Sequence, residues 1–357
     1  MRNHFQIQHY RKSDRNEVFA FLRQVYPRVD SDRLINQWDW KYDASPFNAN
    51  GEPYILLLKN GANIIGMLGT ISLRVSIHGK EYWVKNSCDF IIQPEYRGQK
   101  LSRWMVSQYA ADNPMGIGWL NEISQRVSAS STTSQFVRQT FLVKLLNFSQ
   151  IFYKITGNRL FSRWSDLVIA VTRPLIRPLR RRSYSAGITI AQVANFDRRV
   201  DSLWQQVCRD YPVIVVRDQS YLNWRFVYRP DAQYTMLTAT KGADLVGYLV
   251  LRLSEKAGLR CGYLVDFLVD SRSPSLLVLL LDKAIEYLRH EHAAIIFCLA
   301  VTPFYRYSFY RQGFFPWRWK RGYFSPRVDL PDPDLQVFID LRQWYLTMGD
   351  GDLEMSF

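Results

Sequence analysis

The sequence has few of the features that mark secreted, membrane-spanning or metal-binding proteins. Its longest aliphatic run, Leu276–Leu281, is far shorter than the roughly 20 apolar residues that a membrane span needs. The polar N-terminus has no signal-peptide core. Four cysteines are scattered without CxxC spacing, which argues against a disulfide framework and a zinc motif. These absences predict a cytoplasmic protein with reduced thiols and no metal site.

Acidic residues are also scarce, because 46 Lys and Arg face 32 Asp and Glu, a net charge of +14. The excess is concentrated between Gln150 and Val200, where ten basic residues meet only Asp166 and Asp197. A basic block of this kind favours an anionic partner, such as a nucleotide cofactor, an RNA or a phospholipid surface.

Three segments of the first half recur in the same order in the second half, about 180 residues later. Each pair shares its pattern of aromatic, charged, apolar and turn residues. The repeat predicts two copies of one α/β unit, which we call unit one (1–172) and unit two (187–357), joined by a linker (173–186). The pairs are Trp40–Pro46 with Trp224–Pro230, Asn60–Gly66 with Lys241–Gly247, and Cys88–Ile92 with Val265–Val269.

The stretch Cys88–Ser102 of unit one has the order strand, tight turn, helix start. Such a turn can aim backbone N–H groups at an anion, and the helix N-terminus adds partial positive charge. Arg97 and Lys100 can each add a cation. An ordinary strand-to-helix turn explains the pattern about as well, so the residues alone leave both interpretations open.

The order of residues within Gln93–Gln99 resembles the pyrophosphate loop of the GNAT superfamily, the acyl-coenzyme-A-dependent N-acyltransferases. Lys100 stands where the family has its middle glycine, and Ser102 where it has glycine or alanine. The resemblance implies a mixed α/β sheet in a three-layer αβα fold, built from two tandem GNAT-like units. It also implies main-chain contacts with pantetheine from one set of residues and a diphosphate loop from another. The first set is Phe90, Ile91 and Ile92, and the second is Arg97, Gly98, Gln99, Lys100, Leu101 and Ser102.

The co-substrate implied by the resemblance is acetyl-coenzyme A or another acyl-coenzyme A, and the acceptor is a primary amine of a small molecule or amino sugar. The amine must lose a proton before it attacks, which calls for a carboxylate or a water chain. Asp89 beside the pantetheine strand and Glu122 at the end of a predicted strand, Ile117–Ile123, are the candidate bases. Tyr153, at the end of a predicted helix, Phe136–Tyr153, is the candidate general acid. Each of the three is equally a candidate for a surface or satisfied polar role.

Unit two departs from the family where the chemistry would take place. After its Asp266-Phe267 strand it has Asp270–Ser275 and no Arg-Gly turn. Phe309 occupies the place of the tyrosine that can protonate the leaving thiolate in the family. We therefore expect unit two to be mainly structural or substrate-binding.

The predicted linker contains Arg173–Arg182, five arginines interrupted by two prolines that forbid a regular helix. It suits a solvated linker, a peripheral contact with the inner membrane face, or, less well, nucleic acid. Two other functions remain open on the sequence. An aminoacyl-tRNA-dependent transferase would use the basic middle of the chain, and a non-catalytic protein would bind acyl-coenzyme A or another anionic ligand.

Overall fold

The computed structural model describes residues 4–48, 51–130, 135–156, 187–270, 272–299 and 303–351. The predicted linker lies outside them, so its boundaries and those of the two units stay a prediction.

The helices are α1 (Arg15–Val25), α2 (Arg28–Asn36), α3 (Leu101–Asp112), α4 (Glu122–Ala129), α5 (Phe148–Thr156), α6 (Arg199–Val207), α7 (Gln219–Phe226), α8 (Pro274–His290) and α9 (Pro303–Arg311). Unit one has the strands β1 (Phe5–His9), β2 (Ile55–Asn60), β3 (Asn63–Ile77), β4 (Lys80–Ile92), β5 (Met115–Leu120) and β6 (Val137–Leu145). Unit two has β7 (Ile188–Val193), β8 (Val213–Val215), β9 (Thr235–Lys241), β10 (Asp244–Lys256), β11 (Leu259–Val269), β12 (Ile295–Leu299), β13 (Phe315–Val328) and β14 (Trp344–Tyr345).

Twelve of these strands form one mixed path in the order β1-β2-β3-β4-β5-β13-β6-β12-β11-β10-β9-β7, and β8 joins β14 to β3. The path is symmetric about its middle. In unit one β4 and β5 are parallel, and in unit two β11 and β12 are parallel. The last long strand of each unit crosses over, because β13 pairs with β5 and β6 pairs with β12. Each unit therefore completes the sheet of the other.

Helices cover both faces of the sheet in unit one. Alternate residues of β2 show this directly: Ile55 and Leu57 pack in the cluster that contains Val18 and Leu22 of α1. Their neighbours Leu56 and Leu58 pack in the cluster that contains Met105 of α3. Side chains of successive strand residues point to opposite faces, so a strand that is apolar throughout must be covered on both. This is the predicted three-layer αβα fold.

The first helix of each unit buries one apolar face. Val18, Phe21 and Leu22 of α1 are buried. In α6 the buried residues are Val200, Leu203, Trp204 and Val207, at intervals of three and four. The two hairpin turns of the repeat also match, since Gly61 between β2 and β3 has φ +59° and Gly242 between β9 and β10 has φ +62°.

The repeated tryptophans Trp40 and Trp224 lie against each other. Their rings stack with centroids 4.9 Å apart and planes 17° apart. The indole N–H of Trp40 donates to the carbonyl of Trp224 at 2.7 Å, and that of Trp224 donates to the carbonyl of Trp40 at 3.0 Å. Equivalent residues of the two units thus meet in a reciprocal contact, and both are buried.

One predicted helix, Phe136–Tyr153, is wrong. The segment forms strand β6 (Val137–Leu145) and then the shorter helix α5 (Phe148–Thr156). The apolar run Phe141–Val143 is buried between β12 and β13, and pairing on both edges outweighs its helical spacing. Within the described ranges, no helix is long and apolar enough to cross a membrane.

Candidate active site

A cleft opens in unit one where β4 and β5 separate. The two strands pair only from Lys85 to Ser87 on β4, opposite Gly116 to Gly118 on β5. Just beyond, the register of β4 against β3 shifts between Met67 and Gly69, and Asp89 has φ +47°. A bulge of this kind bends a strand and re-aims its residues. The segment Cys88–Ile91 is half-buried, so one edge of β4 faces the opening.

Two buried side chains hold the bend at Asp89. The Tyr42 hydroxyl donates to Asp89 Oδ2 at 2.5 Å, and Lys41 Nζ lies 2.9 Å from the same oxygen. Burial, and then the nearby Asp89 carboxylate, raise the pKa of Tyr42 well above its usual value, so the hydroxyl stays a neutral donor. Gly69 permits the contact, because a Cβ there would overlap with the Tyr42 hydroxyl.

Beyond β4 the chain makes the predicted tight turn. Residues Pro94–Tyr96 form one turn of 3₁₀ helix, Gly98 has φ +82°, and Lys100 has φ +64° as the residue before α3. Lys100 therefore adopts the left-handed conformation of the family glycine despite its Cβ, at a cost of roughly 1–2 kcal/mol. No side chain caps the first turn of α3, so its N–H groups remain available to an anion.

The side chains of the turn are mostly exposed. Arg97, Gly98, Gln99 and Lys100 face solvent. The Arg97 Nε donates to the carbonyl of Ile92 at 3.0 Å and so ties the turn to the end of β4. Leu101 packs its side chain into the core under α3, which leaves its main chain as the part that can face a ligand.

The position of Glu122 differs from the sequence prediction. Strand β5 ends at Leu120, and Glu122 is exposed in the first turn of α4. The predicted strand Ile117–Ile123 is therefore too long at its end, because the Asn121 side chain accepts a hydrogen bond from the Ser124 N–H at 2.9 Å and starts a helix. Glu122 still lies two residues beyond the strand that borders the cleft.

Tyr153 is not brought together with Asp89 and Glu122. It lies on α5 and is 40% exposed. Strand β6 leads to α5, and its last residues pair with the start of β12 in unit two. The neighbouring Lys154 ammonium lies beside Gly258, in the turn between β10 and β11. The role of Tyr153 as general acid stays a prediction, and the position of Tyr153 on α5 does not support it.

The equivalent place in unit two is closed. Strands β11 and β12 also separate after a short parallel pairing, and β11 also has a register shift, between Val250 and Leu251 on β10. Cys261–Val269 are buried throughout, however. The loop that follows has Pro274 at the start of α8, and Arg272 folds back onto Asp270, with Nε 2.9 Å from Oδ1. The predicted loss of the phosphate turn in unit two agrees with this arrangement.

One part of the surroundings could not be recognised in the sequence. The indole N–H of Trp119, on β5, donates to the carbonyl of Asp350 at 3.0 Å. The two residues are 231 positions apart, and no local pattern signals the contact. Clusters of three or more metal-ligating side chains do not occur in the ranges that the structure describes.

Comparison with known proteins shows what this geometry is similar to. Residues 6–113 match the profile of an acetyltransferase (GNAT) domain. A search of curated protein sequences gave no match. Among solved structures, Saccharomyces cerevisiae N-myristoyltransferase with bound myristoyl-coenzyme A is similar, with a TM-score of 0.56 and 12% identity over 91% of this chain and 82% of that chain.

Two bacterial structures are similar to about the same degree. A probable N-acyltransferase from Enterococcus faecalis has a TM-score of 0.56 and 11% identity, over 91% of this chain and 72% of that one. A GCN5-related N-acetyltransferase from Anabaena variabilis has a TM-score of 0.58 and 12% identity, with the same coverage of both chains. At such identities the likeness concerns the fold. The chain has a tandem GNAT-like fold, and its residues 6–113 match the model of an acetyltransferase (GNAT) domain.

Proposed function

We propose that unit one binds an acyl-coenzyme A and transfers its acyl group to a primary amine. One observation carries the proposal: the cleft edge of β4 leads directly into a turn with two positive φ angles and an uncapped helix N-terminus. An extended groove that ends in free N–H groups fits a ligand with a long thin arm and a diphosphate.

The pantetheine arm would lie along Phe90, Ile91 and Ile92 and bond to their main chain. The diphosphate would meet the N–H groups from Gly98 to Ser102. The side chains of Arg97, Gln99 and Lys100 are exposed around the turn, and the net charge of +14 attracts an anionic ligand at longer range.

Acyl transfer requires an unprotonated amine held close to the carbonyl carbon of the thioester. As the new C–N bond forms, the C–S bond breaks and the thiolate leaves, and the amine proton has to pass to a base or water. Asp89 already accepts from Tyr42 and pairs with Lys41, which favours a structural role for it. Glu122 is exposed at the first turn of α4. We therefore propose Glu122 before Asp89 as the base.

The donor and the acceptor are proposed by class. The yeast enzyme with a similar fold was solved with myristoyl-coenzyme A, so long-chain donors belong in the same screen as acetyl-coenzyme A. The acceptor would be the amine of a small molecule or an amino sugar. Contact with the membrane surface through Arg173–Arg182 stays a prediction, since these residues lie outside the described ranges.

Calorimetry with acetyl- and myristoyl-coenzyme A tests the proposal through Gly98→Asp. The substitution brings a negative charge against the diphosphate, and we expect binding to weaken about a hundredfold or more. An added Cβ at Gly98 meets no atom within 4 Å, so the fold should survive.

The matched control is Gly61→Asp, in the β2–β3 turn of the same unit. Gly61 also has a positive φ, and an added Cβ there also meets nothing within 4 Å. The control changes charge and backbone strain equally but leaves the turn before α3 intact, so it should bind like the wild type. Equal binding by both variants, or no binding of either donor to the wild type, would overturn the proposal.

A further inference from the structure

We infer that the cleft of unit two is filled by the chain's own residues Trp344–Gly351, which act there as an internal ligand. We call these residues the C-terminal segment. In consequence the chain holds one acyl-coenzyme A site and not two, a corollary that rests on the proposed function of unit one.

The segment reaches the strand position that would bind pantetheine in unit one. Phe267 on β11 is the repeat equivalent of Phe90 on β4. The Tyr345 hydroxyl donates to the main-chain carbonyl of Phe267. The rings of Tyr345 and Phe267 also meet edge to face, with centroids 6.2 Å apart. A main-chain group of the cleft strand is thus taken by a donor from the same chain.

Buried charges fix the segment in place. Arg217 lies 3.1 Å from Asp266 Oδ1 on β11 and 2.8 Å from Asp350 Oδ1 in the segment, and all three side chains are at most 2% exposed. Thr347 Oγ1 donates to Asp266 Oδ1 at 2.6 Å. Burial raises the pKa of Asp350. Withdrawal of the segment would break the contact of Asp350 with the buried Arg217 guanidinium and the hydrogen bond from Thr347 to Asp266, so the segment cannot leave at low cost.

The packing around Gly349 is tight. A Cβ at Gly349 would lie 3.1 Å from Asp266 Cβ and 3.1 Å from Phe226 Cζ. Arg225, the repeat equivalent of Lys41, donates to the carbonyls of Gly349 at 3.2 Å and Gly351 at 2.7 Å. Unit two therefore uses the cation of this position to hold the segment, whereas unit one uses it to hold Asp89.

Two measurements test the inference. In calorimetry we expect one acyl-coenzyme A per wild-type chain, and in Gly98→Asp we expect that single site to be weakened about a hundredfold or more. Two sites in the wild type, one of which keeps its affinity in Gly98→Asp, would show that the cleft of unit two is open and would overturn the inference.

Hydrogen exchange tests the segment without any ligand. Gly349→Leu is too large for its position and should expel the segment, so exchange at Val265–Val269 should rise by about tenfold or more while exchange at Cys88–Ile92 stays unchanged. If Gly349→Leu does not fold, Tyr345→Phe, which removes only the hydroxyl, should raise exchange at Phe267 and its neighbours by a smaller factor.

The outcomes separate the two proposals. Should no donor bind the wild type, the proposed function fails, but raised exchange at Val265–Val269 in the variant would still support the internal ligand. Exchange at Val265–Val269 that does not respond to either substitution would overturn it, whatever the calorimetry shows.

Discussion

The clefts of the two units share a scaffold and differ in what occupies them. Both lie where a parallel strand pair separates beside a bulge, and both have an aspartate at the bend, Asp89 and Asp266. Around Asp89 the strand is half-buried and leads to a free helix N-terminus. Around Asp266 the strand is buried under the C-terminal segment. The two units therefore differ in the loop that follows the cleft strand and in whether a segment of the chain covers that strand, while the strands themselves have similar geometry.

The largest expected effect comes from Arg217→Met in unit two. It removes the cation between two buried carboxylates, so the free energy of unfolding should fall by about 3–5 kcal/mol. Lys41→Met is the matched variant of unit one and should cost less, because the Asp89 side chain is 16% exposed and keeps some contact with water. Urea unfolding measures both, and equal losses would contradict the contrast between the clefts. Arg28→Gln, at an exposed ion pair with Asp32, should change nothing measurable.

Tyr42→Phe makes unit one more like unit two, where Phe226 is the repeat equivalent. The variant loses a hydrogen bond to a carboxylate, and we expect a loss of about 1.5–3 kcal/mol in the free energy of unfolding. The bend at Asp89 should relax, and acyl-coenzyme A binding should weaken with it. Tyr228→Phe, at an exposed tyrosine, is the control. Unchanged stability and binding in Tyr42→Phe would show that the bend does not depend on this contact.

Lys100→Gly tests the turn before α3 in the stabilising direction. Glycine relieves the left-handed strain at φ +64° but loses chain entropy, so we expect a net gain of about 0.5–1 kcal/mol. Binding of acyl-coenzyme A should weaken only modestly, because the N–H groups keep their places while the diphosphate loses one exposed cation. Gly98→Ala, at φ +82°, should change stability in the opposite direction. A loss of stability in Lys100→Gly would mean that the lysine side chain contributes more than the strain costs.

The smallest effect concerns Asp270 and Arg272, in the loop that replaces the phosphate turn. The hydrogen bond from Arg272 lowers the pKa of Asp270 below its usual value. A lowered folded-state pKa stabilises the fold above the pKa of an unfolded aspartate, about 3.9, and this contribution disappears as the pH falls through the folded value. In Arg272→Gln, NMR titration should show the Asp270 pKa moving up. The stability difference from the wild type should appear at neutral pH and vanish in acid.

Much of the fold could be predicted because each repeated segment is short and contains the residues that determine its own local structure. Each repeated segment contains its own turn glycine or apolar run, and Gly61 and Gly242 stand in the turns that the pattern indicates. The tight turn at Gly98 can be predicted for the same reason, because its glycine and the preceding strand are adjacent in the sequence. Strand β6 could not be predicted in this way, because the run Phe141–Val143 fits helical and strand spacing alike. The strands that pair with β6, β12 and β13, lie about 150 positions or more further along the chain.

The site was less predictable than the fold, because its defining contacts are distant in sequence. Tyr42 and Asp89 are 47 positions apart, and Arg217 and Asp350 are 133 apart. A carboxylate in the sequence does not show whether an amine, a hydroxyl or water will face it. The sequence alone therefore offers Asp89 as a candidate base and does not distinguish Asp350 from the other acidic residues near it.

The stacked pair of Trp40 and Trp224 has a consequence for how such a chain can arise. A residue that contacts its own copy, with each N–H donating to the other's carbonyl, makes the self-complementary contact of a twofold dimer. Together with the exchanged strands β6 and β13, it gives one polypeptide the kind of twofold contact that a symmetric homodimer has. Fusion into one chain frees each half to mutate alone, so one copy can keep an open cleft while the other closes.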